Sequence, residues 1–278
     1  MHYLALNVLF SSFFILCIKW AKSRGEEIIN IGALNYLSAA VLGIVMYVRS
    51  AEPLDSTAAL LGAVNGGCYF IAFFFLIAAI SWKGATNLAA VSRLSILMPI
   101  AFGVAWLGER PDTWQVIGIV LACMSLLLIS GRKGSINNAE QPRKSVQVIL
   151  MFFLIAGTAR LTQEIFKHSC QAGLEPLYLA SGFSLAGIAS LVVLGVRRKP
   201  ITLSEVLIGI ALGTANLLQV YFVLKSLELF DGFIVFTMTS AAGLAFTTLA
   251  AVTLLGERPS RLNYLGIAVA ITALLLLS

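Results

Sequence analysis

The sequence predicts an all-α integral membrane protein, ten transmembrane helices built as two inverted five-helix repeats. Composition and an internal duplication carry this prediction. Hydrophobic residues make up 59% of the 278 and charged residues 12%, too little polar surface to cover a soluble globule of this length. The segment Leu107-Gly108-Glu109-Arg110-Pro111 recurs as Leu255-Gly256-Glu257-Arg258-Pro259, an offset of 257 − 109 = 148 positions. The same offset matches Lys19 with Lys167, Gly25 with Gly173, Glu27 with Glu175, Ser92 with Ser240 and Gly118 with Gly266, with no gap. Self-similarity over that length means a duplicated chain.

A hydrocarbon core of about 30 Å needs about 20 helical residues at 1.5 Å each. Between charged or Pro/Gly breaks the first half supplies Tyr3–Trp20, Asn30–Val48, Thr57–Ile80, Ala85–Leu107 and Pro111–Ser130. The second half supplies Val146–Phe166, Leu174–Val196, Leu203–Leu227, Gly232–Leu255 and Ser260–Ser278. The polar stretch 131–145, with Arg132, Lys133, Arg143 and Lys144, reads as a solvated linker between repeats 1–130 and 146–278. With five spans per half, the second copy starts where the fifth helix ended and crosses the membrane in the opposite sense. Inverted repeats of this kind suit a secondary transporter, because two similar halves can rock around a midplane site and give alternating access.

Ten short helices in two five-helix repeats, with a Gly-Glu-Arg-Pro turn between the fourth and fifth helix of each, resemble the drug/metabolite transporter superfamily in its two-EamA-domain form. The resemblance covers essentially the whole chain and implies EamA-like repeats at 1–130 and 146–278. In the turns Gly108, Glu109, Arg110, Pro111 and Gly256, Glu257, Arg258, Pro259 are read as structural. Pro111 and Pro259 suit the first position of the next helix, and Glu109 and Glu257 can sit near its positive end. Gly62-x3-Gly66, Gly209-x3-Gly213, Gly118-x3-Ala122 and Gly266-x3-Ala270 are spacings that let helices approach closely in lipid. The family places its fifth and tenth helices away from the central cavity, where such faces act as internal braces.

An ionisable group at helix centre costs a few kcal/mol or more and normally faces a cavity or a partner. Glu164, Arg93 and Arg160 are the internal charges. Arg160 and Glu164, four residues apart, share a helix face and can pair, which leaves Arg93 over. At 1.5 Å per residue Arg93 lies roughly 12 Å from its helix start and Glu164 roughly 27 Å from its own, at different levels. Arg93 and Arg160 are therefore candidates to line a cavity and attract an anion, with Glu164 the candidate proton carrier.

Uncharged polar residues at depth fall in pairs on single helix faces: Asn7 with Ser11, Asn65 with Tyr69, Asn216 with Gln219, and Thr237 with Ser240. These faces suit a substrate cavity as well as helix-to-helix hydrogen bonds. The run Phe73-Phe74-Phe75 reads as lipid-facing filler. Pro99 cannot donate to the carbonyl of Ser95, so it should kink or loosen that turn of the fourth helix and is the candidate gating point.

Cys17, Cys68, Cys123 and Cys170 show no metal or disulfide spacing, and no cofactor or metal is indicated. No phosphate loop or G-x-S-x-G is present, so neither an ATP-driven pump nor a familiar hydrolase is readable and the protein is not read as an enzyme. The net charge of +6 sits in loops near the membrane and suits anionic lipid, not nucleic acid. The expected partners are the lipid bilayer, a small-molecule substrate and protons, with a monomer or weak homodimer as the assembly. Chain length and short loops resemble bacterial metabolite exporters of the plasma membrane (bacterial inner membrane). Two internal arginines against one glutamate favour a carboxylate-bearing metabolite such as an amino acid. A polyspecific drug exporter is the alternative, and a non-transporting scaffold or receptor the remote one, since the buried charges would then lack a purpose.

Loop charges set the expected orientation. One face carries Lys19, Lys22, Arg24, Lys83, Arg132, Lys133, Arg143, Lys144, Arg197, Arg198, Lys199, Arg258 and Arg261, and the other only Arg49, Arg110, Lys167 and Lys225, 13 against 4. The positive-inside rule puts the first face in the cytoplasm and both termini outside, whereas relatives in the resembled family are drawn with both inside. A reporter fused after Ser278 should accordingly read external, and a clear cytoplasmic signal would reject the charge-based orientation.

Overall fold

The computed structural model describes residues 1–81, 94–130, 143–197, 199–255 and 260–277. Among these residues there is no strand, and the regular elements are ten helices: α1 His2–Ser23, α2 Ile28–Ser50, α3 Ser56–Ser81, α4 Leu97–Trp106, α5 Thr113–Ser130, α6 Arg143–Ser169, α7 Glu175–Arg197, α8 Leu203–Leu227, α9 Gly232–Leu255 and α10 Arg261–Leu277. A helix satisfies its backbone hydrogen bonds internally, which hydrocarbon requires. Six of them, α1, α2, α3, α7, α8 and α9, are long and apolar enough to cross a membrane, while α4, α5 and α10 are shorter apolar helices.

Of the expected fourth span, residues 85–93 lie outside the described residues; Leu94 is helical, Ser95 and Ile96 form a turn, and α4 runs from Leu97. Pro99 therefore stands in the first turn, where no intrahelical donor is needed. The helical run is loosened at Ser95 and Ile96, the turn whose carbonyl at Ser95 the proline cannot serve.

The helix starts explain the Gly-Glu-Arg-Pro turn. Asp112 caps α5 reciprocally: its Oδ1 accepts from Gln115 N at 2.8 Å while Gln115 Oε1 accepts from Asp112 N at 2.9 Å. Pro111 thus precedes the cap and is not the first helical residue. Ser260 and Asn263, 148 positions on, repeat the device at α10, with Asn263 Oδ1 accepting from Ser260 N at 3.2 Å and Ser260 Oγ from Asn263 N at 3.3 Å. With α5 already capped, Glu109 is released to another helix. Gly108 adopts φ 77°, a left-handed turn that glycine enters without a Cβ clash, and turns the chain so that the Glu109 carboxylate lies against Gly103. There Glu109 Oε1 accepts from Gly232 N at 2.6 Å and Oε2 from Phe233 N at 3.3 Å. The glutamate is 7% exposed and caps the positive end of α9, not that of α5.

The contacts divide the chain into two compact units, Met1–Phe74 with Ala159–Phe230, and Phe75–Thr158 with Asp231–Ser278. In the first, α2 packs on α7 and α8, and α1 on α8. Gly62 and Gly66 of α3 sit against the backbone of α7; a methyl at Gly66 would strike the carbonyl of Gly182, and one at Gly62 the carbonyl of Tyr178. Gly209 and Gly213 of α8 sit in the same way on Leu34 and Asn35 of α2, and Ser38 Oγ donates to Gly209 O at 3.1 Å. The third helix of each half thus lies on the second helix of the other.

In the second unit α5 packs on α10, and α9 on α4, α5 and α10. Gly118 faces Ala273 and Leu277, Gly266 faces Leu128 and Ile129, and Asn263 Nδ2 donates to Ile129 O at 3.0 Å. The fifth and tenth helices brace each other through their small-residue faces.

Gly66→Ala should lower stability by roughly 1–3 kcal/mol, whereas Gly195→Ala, with open space where its Cβ would go, should be neutral or gain a few tenths. Thermal unfolding in detergent measures both, and equal melting of the two variants would deny the backbone contact any special weight. Glu109→Leu should cost about 1–2 kcal/mol through the uncapped α9, with Glu109→Gln recovering part of it. Equal losses for Leu and Gln would show that capping is not what Glu109 contributes.

Candidate functional site

The interior of the first unit holds a hydrogen-bonded cluster drawn from α2, α3, α6 and α7. Asn65 Nδ2 donates to Ala159 O at 2.6 Å and to Thr162 Oγ1 at 3.2 Å. The Thr162 and Tyr178 hydroxyls are 2.8 Å apart. Gln163 Nε2 donates to the Tyr69 hydroxyl at 3.0 Å, and the Tyr36 hydroxyl donates to Tyr69 O at 2.9 Å. Arg160, one turn before Glu164 on α6, is near enough to Tyr69 to act on its hydroxyl electrostatically. Glu164 is fully buried, and its Oε1 lies 3.3 Å from His168 Nε2.

Asn65, Gly66, Tyr69, Tyr178, Leu179, Gly182 and Phe183 line a thin crevice between α3 and α7. The same glycines that bring the two backbones together leave it too narrow for a water.

A second chain of amides joins α1, α2 and α8. Asn7 Nδ2 donates to Gln219 O at 2.7 Å, Gln219 Nε2 to Asn216 Oδ1 at 2.8 Å, and Asn216 Nδ2 to Asn35 Oδ1 at 3.2 Å. It ends at Asn35 Nδ2, fully buried and without a hydrogen-bond partner. Ser11 bonds within its own helix, to Val8 O. Thr237 and Ser240 belong to α9 in the second unit, where Thr237 Oγ1 is buried without a partner.

Of the residues singled out from sequence, Asn65 and Tyr69 meet near Arg160, and Asn7, Asn216 and Gln219 join each other. Arg93, Gly256, Glu257, Arg258 and Pro259 lie outside the described residues. Tyr36, Tyr178, Thr162, Gln163 and Asn35 were not legible as site residues; spacing along one helix shows which groups share a face but not what that face meets. Phe73 is a correction: it is buried and edge-on to Tyr36 at 5.8 Å, with Gly32 packed on its ring, so it does not face lipid. Phe70 and Phe74 extend this aromatic wall, with centroids 4.7 Å apart.

Comparison with known proteins accords with this picture. A protein of Haemophilus influenzae described as uncharacterized is 24% identical over 283 residues, which cover 99% of this chain and 96% of that one. A solved crystal structure shares the fold with a TM-score of 0.71 at 18% identity, over 99% of this chain and 94% of that one. Residues 1–131 match the model of the EamA-like transporter family, a family of multi-pass membrane transporters. Residues 1–131 are thus an EamA-like domain.

Proposed function

We propose that the protein is a secondary transporter that exports a small carboxylate-bearing metabolite, such as an amino acid, across the plasma membrane by alternating access. The family supports transport, and Arg160 supports the class of solute. A guanidinium beside Tyr69, with the amides and hydroxyls of Asn65, Gln163 and Tyr178 around it, gives a carboxylate both charge and directed donors. Two inverted five-helix repeats supply the mechanical basis. The crossed packing of α3 on α7 and of α8 on α2 is the arrangement a pseudo-two-fold relation would give. The Tyr36, Phe70, Phe73 and Phe74 wall favours one second reading, a polyspecific exporter of aromatic drugs.

Purified protein in liposomes, screened by mass spectrometry for uptake and efflux of amino acids, other carboxylates and aromatic cations, separates the two readings. Arg160→Gln should reduce carboxylate transport at least tenfold, about 1.4 kcal/mol, while the protein still folds. Arg160→Lys should rescue only part, because a point charge replaces a two-pronged planar donor. The same comparison applies at Arg93. Full carboxylate transport by Arg160→Gln would reject this residue as the anion site, and selective transport of aromatic cations would establish the drug-exporter reading.

A further inference from the structure

Where α8 ends, one ammonium lies between two carboxylates. Lys225 Nζ donates to Glu175 Oε1 at 2.8 Å and to Glu228 Oε1 at 2.8 Å. The Glu175 side chain is 3% exposed and that of Lys225 19%, whereas Glu228 is 33% exposed and so in reach of solvent protons. Glu175 also accepts from Gly173 N at 3.4 Å. Among the described residues, the Tyr221 phenol on α8 also acts on Lys225, Glu175 and Glu228, with Tyr3 of α1 beside it. With both carboxylates ionised the group carries a net charge of −1 in a largely dry setting.

The two acids are not equivalent. Glu175 occupies the first turn of α7, where the helix dipole favours an anion; Glu228 is the C-cap of α8, where backbone carbonyls disfavour one. Burial and then the neighbouring Glu175 push the Glu228 carboxyl above its ordinary value, against the pull of Lys225. At Glu27, which is 148 positions before Glu175, the balance is reversed. Lys199 and Arg197 flank one carboxylate there, and the Lys199 hydrogen bond holds it below the ordinary value.

We infer that Glu175, Lys225 and Glu228 form a proton-operated latch between the start of α7 and the end of α8, through which the transporter responds to pH. One proton from solvent adds to the Glu228 carboxylate. The resulting O–H donates to Glu175, Lys225 keeps its ion pair with Glu175, and the net charge goes from −1 to 0. A charge-assisted hydrogen bond replaces a repulsion, so the latch is tight when protonated and loosened when the proton leaves. Gln219 and Asn216 of the buried amide chain lie on the same helix, roughly 13 and 18 Å from Glu228 along its axis, so a shift at this end of α8 is passed to them.

This latch rests on the transporter reading only for its purpose; the proton site can be tested without a solute. Infrared titration of the full-length protein in lipid nanodiscs should show one carboxyl C=O band titrating above the ordinary glutamate range. Glu228→Gln should abolish it, and Glu175→Gln should move it down by removing the repelling neighbour. A raised folded-state value also means that the stabilisation is full below the unfolded range and is lost as pH rises through the folded one. The wild-type melting temperature should therefore fall over that interval, while Glu228→Gln should lose this component. A band that persists in Glu228→Gln, or parallel pH dependence of melting in wild type and variant, would overturn the proposal. In liposomes, transport by Glu228→Gln should lose its pH response. A protein that titrates as described yet moves no solute would reject the transporter reading and leave the proton site standing.

Discussion

Close approach of backbone to backbone is the constraint on which the rest depends. Lipid tails are as apolar as leucine, so burying side chains from water cannot hold these helices together. Contact distance and polar satisfaction must do so. Gly62 and Gly66 against Tyr178 and Gly182, and Gly209 and Gly213 against Leu34 and Asn35, bring α3 onto α7 and α8 onto α2. Once those backbones touch, side chains such as Asn65 and Asn216 reach partners on neighbouring helices instead of facing hydrocarbon, where an unmet amide is costly. The polar clusters are thus a consequence of the glycine contacts.

Helix ends obey the same economy of polar groups. The reciprocal caps Asp112–Gln115 and Ser260–Asn263 satisfy α5 and α10 from within. Glu109 can then serve two amides at the head of α9. The family's conspicuous turn is therefore not a local device. Its glycine turns the chain, its glutamate ties α4 to α9, and the cap that sequence alone assigned to it comes from the next acidic residue along.

The architecture was legible because it rests on properties that sequence displays directly, namely run length, the 148-residue offset and small residues at four-residue spacing. Each expected span overlaps one of the helices among the described residues, six of which are long and apolar enough to cross a membrane. The turn at Ser95 and Ile96 could be expected only as a kinked or loosened backbone, because a proline within a run of apolar residues looks the same whether the chain bends or breaks before it. The site was legible only in part. Asn65, Tyr69, Asn216 and Gln219 could be picked out as polar residues sharing a face, but Tyr178, Thr162, Gln163 and Asn35 matter through partners on other helices. Those partnerships depend on how each helix is rotated about its axis. Phe73 was misread for the same reason, since the face it occupies is set by Tyr36 and Gly32 on α2.

Duplication also explains where chemistry can reside. Positions that shape the backbone recur across the offset, as Gly25 with Gly173, both with positive φ, and as the caps of α5 and α10. Glu175 of the latch recurs as Glu27, but its partners and the other cluster positions do not: Arg160 corresponds to Ser12, Glu164 to Leu16, Tyr178 to Asn30, Asn65 to Gly213, Lys225 to Ile77 and Glu228 to Ile80. A repeated scaffold gives two halves able to make the same packing contacts, while side chains present in only one half give the interior a direction. The proposed transport of a solute with one anionic end, and the proposed uptake of a proton at one end of α8 alone, would both draw on that asymmetry.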